Sequence, residues 1–105
     1  MLKIYPGEIL REEFLVPLGV SANSLAFALG IPSTRIFEIV HERRGISADT
    51  AARLARYFGT SAQMWLNLQN RYELALVEEL SGDQLNRIVP RQPLATLAWK
   101  LLNFC

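Results

Sequence analysis

Ser21-Ala22-Asn23-Ser24-Leu25-Ala26-Phe27-Ala28-Leu29-Gly30-Ile31-Pro32-Ser33-Thr34-Arg35-Ile36-Phe37-Glu38-Ile39-Val40 is the stretch on which the fold turns. Ser21 is a good N-cap, and Leu25, Ala26 and Leu29 follow it at helical spacing up to Gly30, a helix of barely two turns. Pro32 and Ser33 can start a second helix, with Ile36, Ile39 and Val40 along one face. Ala26 is small where two helices would cross closely, and Gly30 supplies the positive φ that a tight turn between them needs. Ile31, Ile36 and Ile39 then anchor the second helix on the first. The opposite face, Ser33, Thr34, Arg35, Phe37, Glu38 and His41, is left pointing outward, with the dimensions to enter a major groove. An ordinary helical hairpin in a small bundle can carry the same alanine and glycine.

The neighbouring segments are also helical. Pro6 opens a helix with Glu8 in its first turn and Ile9, Leu10, Phe14 and Leu15 on one side, ending by Pro17-Leu18-Gly19. Arg43-Arg44-Gly45 closes the second helix of the pair. Ser47 caps a fourth helix, with Ala51, Leu54, Ala55 and Phe58 turned inward and Gly59 just past its end. Thr60 and Gln63 form a capping-box pattern that opens a longer fifth helix, expected to stop near Leu80 at Ser81-Gly82. No segment of the globular part alternates as a strand would, so the fold class is all-α. Residues 1–82 are expected to form the domain, and residues 83–105 an extension. There the Val89-Pro90-Arg91-Gln92-Pro93 joint precedes a short apolar helix from Leu94 to Phe104.

The bulk properties exclude several classes. A chain of 105 residues, half hydrophobic and one-fifth charged, makes one soluble domain, with no run long enough to cross a bilayer. Met1 to Pro6 lacks a signal peptide's apolar stretch, so a cytoplasmic location is expected. The one cysteine, Cys105, rules out an internal disulfide or a thiolate metal site within one chain, and no cofactor is expected. Glu12, Glu13, Glu78 and Glu79 have no second histidine, partnered nucleophile or phosphate loop to work with, so no catalytic residue is assigned. The net charge is +1, but residues 31–58 carry five arginines against three acids, a local excess of +2.

From Pro6 to Glu79 the chain resembles the HigA-type antitoxins, the VapI-like branch of the Cro/C1-type helix-turn-helix family. The resemblance is carried by Pro6-Gly7-Glu8-Ile9-Leu10-Arg11-Glu12-Glu13-Phe14, Pro17-Leu18-Gly19, Leu25-Ala26, Leu29-Gly30, Arg35-Ile36 and Glu38-Ile39-Val40. It continues through Arg43-Arg44-Gly45-Ile46-Ser47-Ala48-Asp49-Thr50-Ala51, Leu54-Ala55-Arg56-Tyr57-Phe58-Gly59-Thr60-Ser61 and Trp65-Leu66-Asn67-Leu68-Gln69. It implies a five-helix, lambda-repressor-like domain that represses its own operon from an operator and neutralises a toxin that cleaves translated mRNA. The departures fall where DNA would be touched. Ala22 stands where the family usually has a glutamine that reaches a phosphate, so Asn23 or Ser24 would have to substitute. Phe37 and His41-Glu42 stand where asparagine and Asn-Gly are common.

The expected DNA contacts are therefore Asn23 and Ser24 on backbone, Ser33, Thr34, Arg35, Phe37 and Glu38 on bases, and Arg43 and Arg44 on phosphates. His41 is either a phosphate contact or a favourable cation at a helix C-terminus. A homodimer on an inverted repeat is expected, its interface built from Trp65, Tyr72 and Leu76 of the fifth helix with Leu94, Leu97 and Leu101 of the last. A toxin is the further partner that the resemblance implies. Two other readings stand beside it: a regulator of the same fold without a toxin, and an interaction bundle that has lost DNA binding.

Overall fold

Serine hydroxyls start three of the five helices of the computed structural model, which describes residues 3–91 and contains no strand among them. Helix α1 spans residues 6–18, α2 Ala22–Leu29, α3 Ser33–Val40, α4 Ala48–Phe58 and α5 Ala62–Asn86. Ser21 accepts the Ser24 N–H at 3.0 Å ahead of α2, and Ser47 accepts the Thr50 N–H at 3.3 Å ahead of α4. Ser61, not Thr60, caps α5, accepting the Met64 N–H at 3.0 Å. The Thr60 hydroxyl is used elsewhere: it accepts the Trp65 indole N–H at 2.8 Å.

Helix α1 changes winding part-way. Pro6–Ile9 and Val16–Leu18 are α-wound, but Leu10–Leu15 is π-wound, and the Val16 N–H reaches back to the Arg11 carbonyl. Pro17 explains the change: its ring would collide with the carbonyl four residues earlier, and the wider turn moves that carbonyl aside. Leu10 and Leu15 still face inward.

The core gathers around wholly buried Leu10, Leu25, Ile36, Ile39, Leu54 and Trp65. Phe14 lies with its ring centroid 5.1 Å from Trp65 and 4.7 Å from Phe58, so α1, α4 and α5 meet through aromatic faces. Trp65 was expected at a dimer interface. It is instead sealed inside its own chain, because its indole fills the space between α1 and Thr60. Tyr72 is half-buried and packs edge-on against Tyr5 with centroids 4.8 Å apart; Leu76 is also half-buried. Leu94, Leu97 and Leu101, and the helix expected to carry them, lie outside the described residues.

Helix α5 also runs further than Ser81-Gly82 would allow, to Asn86. One glycine in a helix costs about 1 kcal/mol, which is too little to stop a helix already 20 residues long with Gln84 and Leu85 to follow. The boundary expected after Gly82 therefore falls inside a continuous helix.

Helix α3 packs most extensively on α2, and the start of α1 sets how closely it can sit. Gly7 is buried against the α3 backbone, and a Cβ there would overlap the Ile39 carbonyl oxygen and come within 2.8 Å of the carbonyl carbon. Backbone cannot move aside as the end of a side chain can. Gly7→Ala is therefore expected to cost about 3 kcal/mol and to lever α3 outward, a loss readable as a lowered midpoint in urea.

Candidate nucleic-acid interface

The outer face of α3 is short, mostly exposed and held from behind at both ends. Ser33 and Thr34 are exposed in its first turn, which follows Pro32 directly. Gly30, at φ 71°, turns the chain sharply enough to bring this turn beside α2, where Ala26 lets the helices close up. Asn23 and Ser24 are exposed in the first turn of α2. The Ser24 N–H is spent on the Ser21 cap.

Further along α3, Phe37 is 48% exposed and its ring lies 4.0 Å, centroid to centroid, from that of His41. The His41 Nδ1 is 2.8 Å from the Phe37 carbonyl oxygen, so Nδ1 carries the proton and Nε2 points away from that bond. This ties His41 to the end of α3, and its ring covers one side of Phe37.

The arginines are less free than the sequence implied. Arg35 Nη1 is 3.0 Å from Asp49 Oδ2, and Arg44 Nη2 is 3.0 Å from Glu38 Oε1. Two residues expected on bases and one expected on phosphate are thus engaged in ion pairs beside the outer face of α3. Arg43 is exposed and makes no ion pair among the described residues. The hydrogen bond and charge of Arg53, with Arg35 behind them, hold the Asp49 carboxyl below its ordinary range. A lowered carboxylate pKa means that the Arg35–Asp49–Arg53 link is complete at neutral pH and comes apart as pH falls through that depressed value.

The loop between α3 and α4 is anchored by residues that the sequence did not mark as functional. Arg11 Nη1 donates to the Val40 carbonyl at the end of α3, and the Tyr5 hydroxyl donates to the Arg44 carbonyl at 2.6 Å. Burial, with Tyr72 adding to it, pushes the Tyr5 phenol above its ordinary value, so the donor stays protonated. From the other side, buried Gln69 accepts the Ile46 N–H at 2.8 Å, and a Cβ at Gly45 would come within 2.7 Å of its amide nitrogen. Glu42 takes the left-handed conformation, φ 60°, that ends the α3 turn. Asp49 alone had a local signal, its i,i+4 spacing to Arg53. Tyr5, Arg11 and Gln69 act over long sequence separations and had none.

Residues 10–65 match the helix-turn-helix family HTH_3. Virulence-associated protein I of Dichelobacter nodosus is 56% identical over 90 residues, covering 86% of this chain and 82% of its own. The structure of the Pseudomonas aeruginosa antitoxin HigA with the higBA promoter superposes with a TM-score of 0.83 at 49% identity, covering 87% of this chain and 100% of that one. The antitoxin GraA in complex with its operator gives a TM-score of 0.83 at 44% identity, covering 89% of this chain and 94% of its own.

Arg35 is held in an ion pair and Arg43 is not, so the two are expected to respond differently to truncation. Arg35→Ala is expected to relax preference at one base pair of each half-site, at a cost of about 1–3 kcal/mol. Arg43→Ala should weaken all sequences alike and reduce the salt slope by about one. Titration of both variants against single-base operator replacements at several salt concentrations separates the two patterns.

Proposed function

The chain belongs to the HigA-like branch of the helix-turn-helix family, a family of DNA-binding regulators rather than enzymes, and on that premise we propose that it is an operator-binding repressor serving as the antitoxin of a toxin–antitoxin operon. The observation that carries this reading is the exposed outer face of α3, flanked by Arg43 and Arg44 and braced from behind by Gly7, Arg11 and Tyr5. Two relatives of the same fold, at 49% and 44% identity, are described as bound to a promoter or an operator. The toxin partner is an mRNA-cleaving enzyme encoded beside it. Ser33, Thr34, Arg35, Phe37 and Glu38 read bases, Phe37 through a thymine methyl, while Asn23, Ser24 and Arg43 hold backbone.

One such module buries too little surface for tight specific binding, so the repressor acts as a homodimer on an inverted repeat. Helix α5 supplies the surface. It continues well past Ala75, its last buried residue, and exposes Leu74, Val77, Leu80 and Leu85, with Ile88 beyond its end. An apolar strip of this kind is covered in a stable protein, and a second copy covers both strips by one symmetric contact. Tyr72 and Leu76 border it. No helix among the described residues is long and apolar enough to cross a membrane, which fits action on DNA in the cytoplasm.

Footprinting on DNA upstream of the chain's own gene at low salt should show protection of two half-sites about one helical turn apart. Absence of protection would sink the repressor reading. Co-expression with the adjacent open reading frame decides between antitoxin and stand-alone regulator, since an antitoxin restores growth that the neighbour's product arrests. Leu80→Asp replaces an exposed side chain, so the monomer's stability should hold while the sedimenting species shifts from dimer to monomer and operator affinity falls.

A further inference from the structure

Asp49 lies outside the face assigned to DNA, yet it is the residue that grips Arg35. It is the second residue of α4, and its carboxylate is met from two sides. Arg53, one turn along the same helix, brings Nε to 3.2 Å from Oδ1 and 3.0 Å from Oδ2; Arg35 of α3 brings Nη1 to 3.0 Å from Oδ2. Arg53 also reaches back, donating from Nη1 to the Leu29 carbonyl at 2.7 Å, the last residue of α2. The carboxylate is therefore fixed by α2 and α4 together, and it hands that position on to a side chain of α3.

We propose that Asp49 is a positioning residue for base recognition: acting through Arg35, it sets which base pair that guanidinium prefers. The inference rests on the operator-binding reading given above. A guanidinium has five N–H donors in a rigid fork, and Asp49 takes one, leaving the others to a base edge. An arginine free in solvent loses rotamer freedom when it docks, whereas one already held by a corner has lost part of it beforehand. The pair is not needed to hold the fold, because the cap of α4 is Ser47 and an ion pair this exposed adds little to stability. Its effect falls on the direction in which Arg35 points.

The test uses the full chain with Asp49→Asn, Arg35→Ala and the double variant, titrated against the protected operator and copies with each base pair replaced in turn. Asp49→Asn keeps an acceptor oxygen for Arg53 and removes the charge. It is expected to lose about tenfold discrimination at the base pair where Arg35→Ala loses it, and at no other. Affinity for unrelated DNA holds or rises, since one negative charge near the phosphates is gone. The double variant should discriminate at that pair no worse than Arg35→Ala alone. Asp49→Glu retains the charge on a longer arm and, by misplacing Arg35, should show the same loss at the same pair, which keeps the test open if the asparagine variant fails to fold. Discrimination unchanged in both Asp49 variants overturns the proposal, as do losses that add in the double variant or an Arg35→Ala that discriminates normally. Failure of the wild-type chain to bind any operator overturns the repressor reading itself, a result seen before any variant is titrated.

Discussion

The backbone of α1 lies directly on the backbone of α3 at Gly7, and how closely α3, with the outer face proposed to read DNA, seats on the domain depends on that contact. No side chain intervenes to act as a cushion, so the distance between the two helices is set by the van der Waals radii of main-chain atoms. Arg11 and Tyr5 on either side of Gly7 complete the mount by donating to the Val40 and Arg44 carbonyls. The last carbonyls of a helix have no partners within it, and here one segment of chain supplies a donor to the end of α3 and another to the loop beyond. Readout by hydrogen bonds tolerates errors of about half an ångström, which a mount made of backbone and short polar contacts can meet.

The loop after α3 is held from the opposite direction by a buried amide. Gln69 accepts the Ile46 N–H and donates to Glu73 at 3.1 Å, so both ends of the side chain are satisfied. Among the described residues no buried side-chain polar atom lacks a partner. The surface charges behave differently. Arg35 with Asp49 and Arg44 with Glu38 are partly exposed pairs, individually weak; a phosphate can compete with Glu38 for Arg44, while Arg35 spends one donor on Asp49 and has others to offer. The mount is rigid and buried, while the contacts it presents can exchange.

Helical periodicity, serine caps and three glycines past helix ends made the order of the five helices legible, because each of these signals is local. The face of α3 was legible for the same reason: Ile36 and Ile39 go inward, so Phe37 and His41 do not. The errors arose where a local rule met a longer-range demand. Thr60 looked like a cap, but Trp65 needed an acceptor for its indole N–H and the cap passed to Ser61. Gly82 looked like a stop, but the helix around it was already long. Trp65 reads both as the packing face of α5 and as a dimer contact because α5 is apolar on several sides, and only the arrival of Phe14 from α1 shows which side is the core. The pairing of Arg35 with Asp49 joins two helices across a turn and has no signature in spacing.

The Gly7 contact has one further implication, for how such a surface can change. Its partner is a carbonyl that exists whatever residue occupies position 39, so no second substitution there can relieve a side chain introduced at position 7. Ser33, Thr34 and Phe37 take no part in that contact, and exchanging them leaves the mount as it was. On the proposed reading, α3 is thus a fixed socket with replaceable fittings. A lineage can wander to new target sequences by small, nearly stability-neutral steps on the outer face while the residue that seats the helix has nowhere to go.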